Sequence, residues 1–88
     1  MSDQNTILSL IKMKIDMEYS YIENLKALYN EVEKKDPKSG EDLKLQLSKY
    51  EYQVQLKEQL YKDPSTAHKP NINGNNEYQI LCKYLTKF

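Results

Sequence analysis

The side chains able to do nucleophilic or metal chemistry are one cysteine, Cys82, and one histidine, His68, in different segments of the chain. A structural zinc site needs four nitrogen or sulfur ligands at recognisable spacing, and this pair supplies two. Covalent catalysis would require Cys82 to have a base beside it and an oxyanion hole. Cys82 instead falls between Leu81 and Leu85, where a free thiol packs as a small apolar side chain. His68, in Ala67-His68-Lys69-Pro70, reads as a solvated loop residue. Neighbouring acids such as Glu31 and Glu33, or Glu41 and Asp42, do not share a helix face. Glu31 with Lys35 and Glu58 with Lys62 do, as surface pairs worth a few tenths of a kcal/mol. Gly40 and Gly74 both read as turn residues rather than parts of a phosphate-binding loop. The expectation is a protein without catalytic residues, cofactor or metal.

All thirteen basic residues are lysine, and thirteen acids balance them. Arginine is the side chain that grips phosphate and guanine edges in bidentate fashion; lysine offers a mobile point charge. A neutral chain also exerts no long-range pull on nucleic acid or anionic membrane. The eight tyrosines carry the ambiguous signal. Interleaved with lysines they can stack on unpaired bases, and they are equally suited to protein interfaces, where the ring is buried and the hydroxyl stays bonded. Tyr29, Tyr50 and Tyr61 fall on expected core stripes, whereas Tyr19, Tyr52, Tyr78 and Tyr84 are harder to bury in a monomer. Protein interaction is therefore favoured. The alternative is a small nucleic-acid-associated regulator using Lys83 and Lys87 with Lys69. No apolar run approaches the ~20 residues of a membrane span, and a single cysteine suits a reducing, intracellular, cytoplasmic setting.

The elements that must position these groups are helices. Residues 5–35 lack proline and glycine, and Leu8, Ile15, Ile22 and Tyr29 recur every seven positions with Ile11, Leu25 and Val32 between them. Glu18 is the one charge in that seam. A second stripe of Leu10, Met17, Tyr21 and Leu28 lies beside it and widens the apolar face. Asp3 or Asn5 can cap the start, and Asp36-Pro37 stops the helix. The spacing Ser39-Gly40-Glu41-Asp42 resembles a capping box and predicts a second helix over 40–62, closed by Asp63-Pro64. Leu43, Leu47, Tyr50, Val54 and Tyr61 form one stripe of it, with Leu45, Tyr52, Leu56 and Leu60 nearly opposite. The stretch 43–56 also alternates with strand period, but Ser48-Lys49 lacks the residues of a hairpin turn and the filler residues favour helix. Residues 63–76 read as a loop whose one core candidate is Ile72. A third helix over 76–88 places Tyr78, Leu81, Leu85 and Phe88 on one face.

An elongated, all-α antiparallel hairpin with a shorter C-terminal helix, three-helix-bundle-like in a single domain, follows from these lengths. A ~30-residue helix spans about 45 Å, well beyond the width of a compact globule this small. The third helix covers only part of the hairpin, so apolar surface remains. Leu10, Met17, Tyr21, Leu28, Leu45, Tyr52, Leu56, Leu60, Tyr78, Leu81, Leu85 and Phe88 are the candidate partner-binding residues. The expected partner is a protein, first of all a second copy in a homodimer.

Overall fold

The computed structural model describes residues 3–87 and is all-helical: α1 (Gln4–Lys35), α2 (Pro37–Lys62), a short 3₁₀ turn (Pro64–His68) and α3 (Asn76–Leu85). Asp3 is the α1 cap, its carboxylate accepting from the Thr6 backbone N–H at 2.8 Å and the Thr6 hydroxyl at 2.9 Å. The strand alternative for 43–56 is absent, because the helix-forming fillers and the two-faced apolar pattern are both satisfied along one unbroken helix.

The joint between α1 and α2 is tighter than the expected start at residue 40. Asp36 alone connects them: its N–H bonds the Val32 carbonyl at 2.7 Å and its carbonyl accepts from Gly40 N–H at 3.0 Å. Pro37 stops α1 and opens α2, since a first-turn residue needs no backbone donor. Ser39 is not a cap; its hydroxyl donates to the Asp36 carboxylate at 2.7 Å. Gly40 therefore lies inside the helix rather than in a turn. A Cβ there would sit 3.1 Å from the Glu33 Cα, so glycine lets the two backbones approach at the tip.

The hairpin measures 50 × 23 × 17 Å with a radius of gyration of 15.5 Å, against about 12 Å for a compact chain of this length. α3 lies against the N-terminal half of α1 and the C-terminal half of α2, and the main core forms there. Ile11, Ile15, Val54, Leu56, Leu60, Ala67, Tyr78, Cys82 and Leu85 are all buried in it. Towards the tip only two helices remain, and between Ile22 and Val54 Leu47 is the one fully buried large apolar residue. Leu25, Tyr29 and Tyr50 are half-buried there.

The connection 63–75 is better anchored than its composition implies. The Asp63 carboxylate accepts from the Ser65 N–H and hydroxyl, and Ala67 is buried while Ile72, the expected anchor, is 94% exposed. Gln53 clamps the far end, donating to the Asn73 carbonyl and accepting from the Asn75 N–H. Asn71 donates to the Tyr52 hydroxyl at 2.7 Å and its carbonyl accepts from Gln79. Gly74 packs under the Tyr78 ring with no room for a Cβ. Apart from Ala67, polar side chains hold this segment. α3 ends at Leu85, short of the expected 88, and Phe88 lies outside the described residues.

Candidate protein-interaction surface

An ion cluster joining all three helices holds the head in place and so decides which apolar faces stay outside. Lys57 of α2, 3% exposed, reaches Glu18 of α1 at 2.6 and 2.9 Å and Glu77 of α3 at 2.6 Å. The other Glu77 oxygen lies 3.3 Å from Lys14 of α1. Burial works against the Lys57 charge, and the carboxylates of Glu18 and Glu77 outweigh it, leaving its pKa above the ordinary lysine value. Burial likewise works against the Glu77 charge, and Lys57 and then Lys14 outweigh it, so its pKa is lowered. The buried Glu77 Oε1 receives no well-directed hydrogen bond, so its pairing with Lys57 rests mainly on charge. Removing one member of such a cluster strands the others, which is why it fixes the docking of α3.

The cluster had a sequence signal that the stripes concealed. Glu18 stands seven after Ile11 and four before Ile22; Lys57 stands three after Val54 and four before Tyr61. Each occupies a core position of its own helix, and opposite charges at facing core positions mark a buried pair. Nearby, the Tyr19 hydroxyl donates to Glu58 at 2.6 Å, a bond that, with burial, pushes its pKa up to about 12. Glu58 also pairs with Lys62 at 3.1 Å, as the helix spacing predicts.

The expected surface residues divide sharply. Leu56, Leu60, Tyr78 and Leu85 are buried at 4% exposure or less, and Leu81 packs against the same core. They join α3 to the hairpin and present nothing to a partner. Burial pushes the Cys82 thiol up, away from the reactive thiolate, and His68 is exposed on the 3₁₀ turn. Tyr78, expected to be hard to bury, is core; Tyr61, expected in the core, is partly exposed. Tyr52 is partly exposed, with its hydroxyl tied to Asn71, and Leu45 stands open on α2.

The longest exposed apolar row lies on α1, with Lys14 and Asn24 interspersed along it. Leu10, Met17, Tyr21 and Leu28, at intervals of seven, four and seven, are between 50% and 70% exposed, and Met13 flanks them. Tyr21 is braced from behind by Tyr50, with ring centroids 5.4 Å apart. Scattered apolar side chains on a surface need no explanation, but an aligned row on one helix is the pattern of a docking site. Just beyond α3, Lys87 lies over the Tyr84 ring at 4.9 Å, so that lysine–aromatic pair is satisfied within the chain. No protein-family description, curated protein or solved structure matches this chain. Among the described residues no helix is long and apolar enough to cross a membrane.

Proposed function

We propose that this chain is a non-enzymatic protein-interaction module that binds through the apolar stripe of α1, with itself among its partners. The observation that carries this reading is the alignment of Leu10, Met17, Tyr21 and Leu28 on one face, at least half exposed, beside the face of the same helix that supplies the core. A helix presenting anchors at such spacing is how one helical surface docks on another. An adaptor, small inhibitor or complex subunit would all use it in this way. Lys83 of α3 and Lys87 just beyond it are two cations, not a comparable aligned face for nucleic acid.

Met17→Glu tests the reading, because Met17 is 70% exposed and surface changes of this kind shift stability by only about 0.5 kcal/mol. The variant is expected to keep its helical circular dichroism and thermal transition while losing association, whether with itself or with protein captured from the source cells. Association unchanged in both Met17→Glu and Tyr21→Glu would remove the stripe from the function. Steeply salt-dependent retention of nucleic acid on a filter would favour the regulator reading instead.

A further inference from the structure

We propose that the α1 stripe takes a second copy of the chain, bound antiparallel, α1 against α1, about a two-fold axis at the level of Tyr19. The proposal rests on reading the stripe as an interaction surface, and it names the partner and the register.

The stripe is part of a heptad seam. Leu10, Lys14, Met17, Tyr21, Asn24 and Leu28 follow one another at alternating steps of four and three, the a/d spacing with which one helix packs along another. In a two-fold interface, if residue i meets residue j then j meets i. A helix that self-associates antiparallel must therefore read as its own complement when reversed. Reversed about position 19, this seam does. Leu10 falls opposite Leu28, Met17 opposite Tyr21, and the two polar members, Lys14 and Asn24, opposite each other. An ammonium facing a side-chain amide oxygen is a donor facing an acceptor. Continued outward at the same steps, the seam sets Asp3 opposite Lys35, with opposite sign. Ile7 opposite Glu31 is the single mismatch, and Ile7 already packs against the core of its own chain.

Charge decides the direction. A parallel pair in register would match Asn24 with Asn24, a contact that two-stranded coils tolerate. It would also set Asp3, Lys14, Glu31 and Lys35 each against its own copy, and like charges across a seam select against that arrangement. The antiparallel pair has no like-charged match along the same positions. Register follows from the same residues. Sliding the antiparallel pair by one heptad sets Lys14 against Met17 in one direction; in the other it sets Lys35 against Leu10 and breaks the Leu10–Leu28 match, for which a surface Lys14–Glu31 pair is a weak return. The side chains concerned are accessible: Asn24 and Lys35 are exposed, and Lys14 is half-exposed with Glu77 at 3.3 Å as its neighbour. The shape agrees. The Lys14–Glu77 pair marks the level at which α3 flanks α1, so antiparallel pairing lays the thin two-helix end of each copy beside the three-helix end of the other. From Leu10 to Leu28 the paired seam runs about 27 Å at 1.5 Å per residue.

Disulfide trapping in the full chain, with Cys82→Ala as background, tests direction and register together. Leu10→Cys mixed with Leu28→Cys is expected to give a cross-linked heterodimer under mild oxidation, while either variant alone stays uncrosslinked. Light scattering of the unmodified chain should return about twice the 10.4 kDa chain mass. Asn24→Glu gives a second readout, because its sign depends on direction. In the antiparallel pair it creates a Glu–Lys14 match at two sites per dimer and should tighten association on the order of tenfold. In a parallel pair it would set Glu against Glu and weaken it. Self-cross-linking of Leu10→Cys, or association weakened or unchanged by Asn24→Glu, would overturn the proposal. A monomer at every concentration would also overturn it. Were that monomer still to capture a foreign protein in a Met17-dependent way, the interaction reading would stand and only the self-pairing would fall.

Discussion

The two ends of this hairpin are built from similar residues and differ in how well they are covered. At the head, α3 and the 3₁₀ turn lie over α1 and α2, and Ile11 and Leu60 are wholly inaccessible. At the tip the same two helices pack alone, and Leu25, Tyr29, Leu43 and Tyr50 stay half-buried although they lie on the facing stripes. Two helices meet along a line, and a side chain is closed off only where a third element covers its flank. The comparison shows that α3, ten residues long, is what converts an amphipathic hairpin into a cored domain. It also explains why the polar clamp at Gln53 and the Lys57 cluster are placed where they are: both hold α3.

The largest effect expected to separate the two ends is a cavity. Leu60→Ala in the head should cost about 3 kcal/mol, whereas Leu43→Ala near the tip should cost about 1 kcal/mol, because half-exposed sites lose less burial and can collapse. Urea denaturation of both variants measures this, and equal losses would erase the distinction. Lys57→Met probes what holds α3. At pH 7 it leaves Glu18 without a cation and Glu77 with Lys14 alone, an expected loss of about 3 kcal/mol, kept at the low end because Glu77 is 41% exposed.

The pH dependence has a definite sign. The folded-state pKa of Glu77 lies below its ordinary 4.5, so its stabilising pairing is present above that value and lost as pH falls through the folded one. Lys57 is raised above 10.5, so its share is lost only as pH rises past that limit. The gap between Lys57→Met and the unmodified chain should therefore be constant in between and narrow at pH 3. A gap unchanged at pH 3 would mean that apolar packing alone docks α3. The smallest effect is at the tip: Gly40→Ala gains helix propensity of up to about 1 kcal/mol and pushes against the Glu33 backbone at 3.1 Å. The net change is expected to be a loss of less than about 1 kcal/mol. A stabilised variant would show that the two-helix end spreads freely.

Helix number and order were legible because they rest on local rules: 3.6-residue periodicity, two Asp-Pro signals and the absence of hairpin-turn chemistry in 43–56. The start of α2 was misread for an equally local reason, since Pro37 can end one helix and begin the next, and only the single-residue joint at Asp36 reveals that it does both. The polar anchoring of 63–75 was not legible, because Gln53 and Asn71 act on residues far along the chain.

Which apolar residues face outward was likewise beyond the sequence. Leu45, Tyr52, Leu56 and Leu60 form one stripe by spacing, yet the first two are exposed and the last two buried. Spacing establishes that residues share a face, because that is a property of a single helix. Whether the face is covered depends on where a distant segment lands, and here the length of α3 and the pairing of Glu77 with Lys57 set that limit.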